Sequence, residues 1–250
     1  MKYIRYEHNE EVRFGELEKG VVYELDGDYI SGAKRTGVGL PLNEVRLLAP
    51  CIPGKIVGVT ANYRSFLDAK KIPYPRIPKL FQKPKTSVIA SGETIRLPDP
   101  AHVVNYEGEL AVVIGTRCTK VKLEDAMDYV FGYTCINDVS DVTMCDEDQT
   151  LGRGKGCDTF SPIGPLVSDE IDPENVMIET RLNGKVVQHE NSSDIYFSIP
   201  ELIEFISAYM TLEPGDIIAS GTPVGAARLH PGDRIEVEVE GIGSIWNRVE

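Results

Sequence analysis

The sequence lacks any apolar run long enough to cross a membrane. Its longest apolar stretches are Leu110–Ile114, Tyr129–Ile136 and Leu202–Met210, whereas a membrane-spanning helix needs about 20 residues. The first ten residues are polar in character and lack the apolar segment of a secretory signal peptide. We therefore expect a protein that does not enter a membrane and that works in the cytoplasm.

Positive charge is also scarce. The chain has 26 Lys and Arg against 39 Asp and Glu, so its formal net charge is −13. No segment is rich in Lys or Arg, and a nucleic-acid-binding protein needs a basic surface to neutralise phosphates. The composition therefore argues against nucleic acid as a partner. The overall field would repel an anionic ligand, so a site for one needs its own metal ion, lysine or arginine.

Paired cysteines and clustered histidines are absent as well. The five cysteines are widely spaced and form no Cys-x-x-Cys pair. This spacing argues against a disulfide framework and fits a reducing cytoplasm. None of the four histidines is near another histidine or a cysteine, so the ligands typical of a zinc site are missing.

Short strand patterns dominate the chain. Val21–Leu25 and Lys55–Thr60 are predicted strands, and Asn183-Gly184 is a strong signal for a hairpin turn. Over Ile235–Val239, apolar residues alternate with glutamates, which predicts one buried and one solvated face. The predicted fold is mainly β, of the α+β class, with a mixed sheet that curls on itself.

Helices are predicted at two places. Leu123–Val130 is one, and a capping box at Ser198–Glu201 opens another that runs through Met210. The stretch Leu40–Leu42 is predicted to be an extended linker, and the acidic run Asp146–Asp148 an exposed loop. Since the sequence pattern changes after residue 50, we predict a small N-terminal β domain over 1–50 and a catalytic domain over 51–250.

Two glutamates stand where a buried strand begins. Residues two apart in a strand point to the same side, so Glu107 and Glu109 should project together, with Gly108 opposite. Asp138 follows the apolar segment Tyr129–Ile136 in a similar position. Carboxylates held together repel one another unless a cation intervenes, and Mg²⁺ prefers oxygen ligands. The alternative is a solvated strand end, with Asp138 capping a turn.

Lys155 lies in a glycine-rich segment that fails the tests for a nucleotide loop. Gln149 and Gly156 occupy positions where a Walker A motif needs Gly and Ser or Thr, and Thr159 interrupts a dinucleotide Gly-x-Gly-x-x-Gly pattern. Lys155 is either a solvated loop cation or the local positive charge that holds an organic acid. Further along, Gly221 permits close approach of the backbone to a ligand, and Thr222 offers a hydroxyl and an amide.

Taken together, six segments resemble the fumarylacetoacetate hydrolase superfamily, in its 2-hydroxyhepta-2,4-diene-1,7-dioate isomerase-like branch. They occur in a consistent order and span most of the chain from about residue 55. The segments are Lys55–Tyr63, Leu80–Pro84, Asn105–Gly115, Gly132–Ser140, Gly154–Pro165 and Pro214–Gly225.

The resemblance implies a mixed β-roll core, a small N-terminal β domain and a homodimer. It also implies Mg²⁺ or Mn²⁺ held by Glu107, Glu109 and Asp138, with Lys155 at the acid or keto group of the substrate. Thr222 would help to bind that substrate, and we add Lys83 and Gly221, which lie in the matching segments, as predicted substrate-binding residues.

The sequence departs from the family pattern at the residues that activate water. Members that hydrolyse C–C bonds commonly carry a His-x-x-Glu pair on a lid helix, and those places hold Phe66 and Ala69 here. Neither side chain can accept a proton, and a general base contributes roughly 10²–10⁴-fold to a rate. Asp68 is the nearby candidate for a replacement base. The family's Ser-Ala-Arg-Asp is also replaced, so that Val142 stands in the place of the arginine.

These observations predict a metal-dependent enzyme for a small anionic 2-oxo (di)carboxylic acid. Lys155 and the metal would stabilise an enolate, which favours isomerisation, tautomerisation or decarboxylation. Two alternatives stay open. One is a C–C bond hydrolase of the acylpyruvate or fumarylacetoacetate type, and the other is a catalytically silent acid-binding protein.

Overall fold

A computed structural model describes residues 1–250, and strands predominate in it. The strands are β1 (Lys2–His8), β2 (Glu11–Glu18), β3 (Val21–Leu25), β4 (Arg35–Pro41), β5 (Arg46–Leu47), β6 (Lys55–Thr60), β7 (Lys79–Pro84), β8 (Val88–Ile89), β9 (Thr94–Ile95), β10 (Val104–Asn105), β11 (Gly108–Ile114), β12 (Val130–Asn137), β13 (Ser140–Asp141), β14 (Ser161–Ser168), β15 (Met177–Leu182), β16 (Lys185–Asn191), β17 (Ile217–Ala219), β18 (Arg234–Val239) and β19 (Gly243–Val249). The prediction of a mainly β, α+β fold is confirmed.

Four short α-helices connect the strands. They are α1 (Arg64–Lys70), α2 (Val142–Asp148), α3 (Gly152–Lys155) and α4 (Ile199–Tyr209), and single 3₁₀ segments cover Tyr29–Ser31, Leu42–Glu44, Lys85–Ser87, Leu123–Tyr129 and Ser192–Asp194. The capping box at Ser198 is present, as predicted. No helix has both the length and the apolar character needed to cross a membrane.

The largest sheet is mixed and contains twelve strands. Its main path runs β4-β3-β2-β1-β14-β12-β11-β17-β6-β7, with β5 beside β1 and β8 beside β14. β17 and β6 are parallel, whereas β11 pairs antiparallel with both β12 and β17. Every residue of β11 is buried, because this strand lies in the middle of the sheet with packed side chains on both faces.

A second sheet of five strands packs on the first. Its order is β16-β15-β18-β19-β9. Leu110 and Val112 of the large sheet belong to the same apolar cluster as Ile178, Val237 and Val239 of the second sheet. The core therefore lies between the two sheets, and the alternation predicted for β18 supplies one of its layers.

The N-terminal segment continues the large sheet. β1 pairs antiparallel with β14 through Lys2–Ser168 and Tyr3–Val167, and Ile4 belongs to the main core cluster. Of the predicted linker at Leu40–Leu42, Leu40 and Pro41 form the end of β4, and Leu42 begins the 3₁₀ segment Leu42–Glu44. The proline is tolerated because β4 is an edge strand.

Local structure differs from prediction in two further segments. Leu123–Tyr129 forms 3₁₀ turns and no α-helix. Asp146–Asp148, predicted as a loop, is the last turn of α2, which begins because the Asp141 carboxylate accepts a hydrogen bond from the N–H of Met144 at 2.9 Å.

Candidate active site

Three carboxylates meet at the start of β11. Glu107 and Glu109 flank Gly108, and Asp138 directly follows β12. Antiparallel pairing places Gly108 opposite Asn137, and the N–H of Asp138 donates to the carbonyl of Glu107 at 2.8 Å. Carboxylate oxygens of the three acids lie within 4.8 Å of one another. The register of two central strands thus brings together acids that are distant in the sequence.

A glycine is required between the two glutamates. A Cβ at Gly108 would lie 2.1 Å from Oγ1 of Thr180 in the second sheet. Because successive strand residues point to opposite sides, Glu107 and Glu109 share the face turned away from that sheet. Glu109 is 1% exposed and Asp138 is 0% exposed, so a solvated strand end is not what forms here.

Two lysines approach this acidic cluster from different sides. Lys83 Nζ donates to Asp138 Oδ1 and to the carbonyls of Val139 and Phe160, the latter two at 2.9 and 2.7 Å. Lys155 Nζ donates to Glu107 Oε2 at 2.8 Å and to Asp138 Oδ2. Asp138 therefore has an ammonium group on each oxygen. All three N–H bonds of Lys83 are used inside the protein.

Burial and charge act against each other on these groups. Burial raises the pKa of Asp138, but the charges of Lys155 and Lys83 outweigh it, so the pKa lies below its usual value. Burial lowers the pKa of Lys155, yet the carboxylates of Asp138 and Glu107 more than offset this, and the pKa is raised overall. The contacts with these two carboxylates therefore favour the charged form of Lys155.

Glu109 is the carboxylate without a cation. It accepts one hydrogen bond, from the N–H of Gly221 at 2.8 Å, and pairs with no lysine. Burial, and then the charge of Asp138, raise the pKa of Glu109 well above its usual value. Buried charges are normally paired or bind a metal, and three carboxylates form the oxygen donor set that a hard divalent cation takes. The residues present therefore fit such an ion.

A cavity of about 760 Å³ opens over this cluster. Glu107, Lys155 and Thr222 contribute polar groups to its lining, and the apolar part of the lining includes Phe66 and Val142. Ligand sites typically combine apolar walls with a few polar groups in a cleft of 300–1,000 Å³. Glu107 and Lys155 thus lie within reach of a small bound molecule, with Glu109 and Asp138 buried beside them.

The chain matches family models over nearly its whole length. The model described as fumarylacetoacetate (FAA) hydrolase C-terminal matches residues 55–250, and the model described as Rv2993c-like, N-terminal matches residues 1–50. The chain belongs to the fumarylacetoacetate hydrolase family. It is an enzyme, since members of the family that resemble it bear the names of isomerases and tautomerases.

Three relatives illustrate the similarity. 5-carboxymethyl-2-hydroxymuconate delta-isomerase from Mycobacterium smegmatis has a TM-score of 0.93 at 38% identity, covering 100% of this chain and 99% of the other. Oxaloacetate tautomerase YisK from Bacillus subtilis is 39% identical over 83% of this chain and 74% of its own length. Maleylpyruvate hydrolase from Sphingobium, in complex with manganese(II) ion and pyruvate, has a TM-score of 0.82 at 28% identity, covering 100% of this chain and 98% of the other.

Within this fumarylacetoacetate hydrolase fold, α1 stands where the family's lid helix is expected. Phe66 lines the cavity, whereas Ala69 is exposed and lies outside it. No histidine is among the residues that line the cavity. The positions expected to activate water therefore present an aromatic ring and an outward methyl group.

Three of the predicted site residues line the cavity, namely Glu107, Lys155 and Thr222, and five do not, namely Asp68, Lys83, Glu109, Asp138 and Gly221. Asp68 is exposed on α1, and its carboxylate accepts a hydrogen bond from the Tyr74 hydroxyl at 3.1 Å. Lys83 is 1% exposed and is absent from the cavity lining, because it packs behind Asp138. The structure thus places Asp68 outside the cavity lining and gives Lys83 a buried contact with Asp138. The catalytic role of Asp68 and the substrate contact of Lys83 stay predictions.

Gly221 and Thr222 are held by the carboxylate strand itself. The N–H of Gly221 donates to Glu109. Residue 221 must be glycine because its φ is +105° and a Cβ there would lie 2.8 Å from Asn62 Cβ. The Thr222 hydroxyl donates to the carbonyl of Gly108 at 3.0 Å. The hydroxyl proton of Thr222 is therefore used in a hydrogen bond within the protein. The backbone N–H of Thr222 has no partner within the chain, so it can donate to a ligand.

Gln188 is a residue that sequence reasoning missed. From β16 its Oε1 accepts the N–H of Gly108 at 3.0 Å, and its Nε2 donates to Thr222 Oγ1 at 2.8 Å and to the Pro223 carbonyl at 3.0 Å. It is 2% exposed. The available signal was a polar residue, Gln188, inside the strand that follows the Asn183-Gly184 hairpin.

Proposed function

We propose that this enzyme catalyses keto–enol tautomerisation, or the related double-bond isomerisation, of a small 2-oxo dicarboxylic acid. The observation that carries the proposal is a cavity lined by Lys155 and Glu107, with Glu109 and Asp138 buried beside Glu107 and with no His-x-x-Glu pair in the lining. Such a site can bind an acid and stabilise negative charge on its oxygens. The names of the tautomerase and isomerase relatives support the same reaction class.

Glu107, Glu109 and Asp138 would hold a divalent cation, Mg²⁺ or Mn²⁺. When bound, such an ion supplies Lewis acidity toward a keto oxygen and a carboxylate oxygen. The manganese and pyruvate in the maleylpyruvate hydrolase structure support this assignment. Burial raises the pKa of Asp138, but the charges of Lys155 and Lys83 outweigh it, which favours the ionised form that binds a cation.

Lys155 binds the anionic end of the substrate. Its Nζ lies between Glu107 and Asp138 and 4.5 Å from the centre of the Phe81 ring, so its position is fixed on two sides. The ammonium group donates hydrogen bonds to substrate oxygens and favours the state in which negative charge accumulates there. The free N–H of Thr222 is a second donor at the cavity wall.

Phe66 and its neighbours exclude an activated water. C–C hydrolysis needs a base that removes a proton from water, and general bases act within hydrogen-bond distance, about 2.6–3.2 Å. Phe66 and Val142 place hydrocarbon in the cavity where the family pattern puts His and Arg. Proton transfer between carbon and oxygen of the substrate needs no water attack on carbon, which is why tautomerisation is favoured.

The test uses enol oxaloacetate, whose ultraviolet absorption falls as the keto form appears. With Mg²⁺ or Mn²⁺ present, we expect the enzyme to accelerate this decay without releasing pyruvate. Pyruvate and CO₂ formed at a similar rate would indicate decarboxylation, and rapid cleavage of acylpyruvates would establish a hydrolase. Tight calorimetric binding of oxalate without turnover of any of these acids would establish a binding protein.

A further inference from the structure

Lys70 is a cation in the active-site cavity that the proposed reaction does not use. It ends α1 and lines the cavity together with Phe66. The two residues are four apart in a helix, so they share one face. Asp68 and Ala69 lie between them in sequence, and both are exposed and outside the cavity lining. The helix thus presents an aromatic ring and an ammonium group to the same space.

Other contacts hold α1 in place. Arg64 Nη1 donates to the carbonyl of Ser193 at 3.2 Å, and the N–H of Ser65 donates to the Asp194 carboxylate at 2.8 Å. The N–H of Ile72 donates to the carbonyl of Leu67 at 2.9 Å just after the helix. Lys70 itself takes part in no ion pair and no side-chain hydrogen bond. Its ammonium group is therefore not needed to position the helix.

The two lysines that line the cavity differ in their ion-pair partners. Lys155 is held by Glu107 and Asp138, whereas Lys70 has no partner. Asp146 also lines the cavity, and it repels an anion. In a chain of net charge −13, an anionic group far from Lys155 gains favourable contact at Lys70 alone.

We propose that Lys70 forms a second anion subsite, which binds the distal carboxylate of a 2-oxo dicarboxylic acid. The apolar residues that line the same cavity, among them Phe66, Ile72 and Leu151, accommodate the carbon chain that joins the two acid groups. This inference rests on the proposed function, since it assumes that the 2-oxo acid end lies at Lys155. It makes Lys70 a residue that selects dicarboxylic over monocarboxylic substrates.

The experiment compares Lys70→Gln with Lys71→Gln. Both variants remove one positive charge, but Lys71 lies outside the cavity lining. Turnover is followed with the enol forms of oxaloacetate and phenylpyruvate, which carry two carboxylates and one. We expect Lys70→Gln to raise KM about fivefold for oxaloacetate and to leave KM for phenylpyruvate unchanged. Lys71→Gln should change neither, and Asp146→Asn should lower KM for oxaloacetate.

Calorimetric binding of oxaloacetate and pyruvate measures the subsite independently of turnover. The preference for oxaloacetate should fall in Lys70→Gln and should weaken as salt screens the exposed ammonium group. An active wild type whose Lys70→Gln variant keeps the same preference in both assays would contradict the subsite alone. A wild type that turns over neither acid would contradict the proposed function, and binding would then still decide for or against the subsite.

Discussion

At the scale of single residues, Glu109 is the carboxylate of the three that contacts no lysine. Asp138 has two ammonium partners and Glu107 has one, whereas Glu109 has a single backbone donor. Desolvation of an unpaired carboxylate opposes folding unless a cation compensates it. Alternation predicted that Glu107 and Glu109 project to one side, and the family resemblance implied that Glu109 is a ligand. The sequence could not show which acid lacks a partner, because the lysines come from segments that only the fold brings close.

Glu109→Gln separates the cost of burial from metal binding. We expect Mg²⁺ or Mn²⁺ to raise the melting temperature of the wild type, as any ligand of the native state does, and to have little effect on Glu109→Gln. Without metal, the variant should be at least as stable as the wild type, because a neutral amide replaces an unpaired buried carboxylate. Thermal unfolding with and without cation measures both effects. Glu44→Gln, at an exposed position without ion pairs, is the control for net charge, and an unchanged cation response in Glu109→Gln would show that the triad is not the metal site.

The two lysines at Asp138 should differ in what their loss affects. Lys155→Met removes the cation that lines the cavity, so kcat should fall about 10²-fold or more. Lys83→Met removes a cation that does not face the cavity and leaves buried oxygens unpaired, so the free energy of unfolding should fall by roughly 3–5 kcal/mol. Enol turnover and urea unfolding give the two quantities. Equal losses of kcat in two fully folded variants would contradict this division of roles.

At the scale of elements, β16 positions the active site from the opposite side of β11. The Gln188 side chain accepts a hydrogen bond from the N–H of Gly108 and donates one to the hydroxyl of Thr222. The Thr222 hydroxyl in turn donates to the carbonyl of Gly108. A single side chain in the second sheet thus fixes the spacing between the carboxylate strand and the Thr222 loop.

Gln188→Met tests this positioning role with a side chain of similar length that makes no such hydrogen bonds. The buried N–H of Gly108 would lose its acceptor, which should lower the free energy of unfolding by about 1–3 kcal/mol. We also expect weaker cation binding in a folded sample, because the backbone between Glu107 and Glu109 is no longer held. Urea unfolding and calorimetric titration with Mn²⁺ are the measurements. A stability loss with wild-type cation affinity would mean that Gln188 is only structural.

The start of α2 contains a pH-dependent contact. His102 Nδ1 lies 2.8 Å from the buried carboxylate of Asp141, which also caps α2. This hydrogen bond raises the pKa of His102, and the charges of Asp141, Asp99 and Glu147 add to the effect. Since the pKa is higher in the folded state, the stabilisation is complete below the unfolded value of about 6.5 and is lost as pH rises through the folded value. The stability difference between wild type and His102→Gln should therefore shrink from pH 5.5 to pH 8.5 in thermal unfolding, and a difference that does not change with pH would show that His102 stays neutral.

Elements with strong local signals could be predicted from the sequence. The hairpin at Asn183-Gly184, the capping box at Ser198 and the alternation of β18 all depend on neighbouring residues. Leu123–Tyr129 could not, since its 3₁₀ geometry is decided by packing against α4. Asp68, predicted as a replacement base, lies outside the cavity lining. The sequence could not show this, because the face of α1 that meets the cavity depends on contacts of Arg64 and Ser65 with Ser193 and Asp194, which are far away in the sequence.

At the scale of the whole molecule, the sheet order depends on pairings between distant segments. β17 lies between β11 and β6, with parallel pairing to β6. No local pattern predicts this arrangement, and the resemblance to the family supplied the architecture instead. The grouping of Glu107, Glu109 and Asp138 could be predicted because the acids stand at the start of one apolar strand and after the end of another, and the family resemblance implied their role as metal ligands. The homodimer and the cytoplasmic location stay predictions.

The boundary between 1–50 and 51–250 can be tested by truncation. β1 pairs with β14, and Ile4, Tyr6 and Val22 are all buried in the main core cluster. Removal of residues 1–50 would expose that part of the core and leave β14 with an unpaired edge, which favours aggregation. We therefore expect the full chain to unfold in one cooperative transition and the 51–250 fragment to be aggregated or poorly folded, as followed by calorimetry and circular dichroism. Two separate transitions in the full chain, together with a soluble fragment that unfolds cooperatively, would instead establish two independent domains, because each part would then hold a core that is stable without the other.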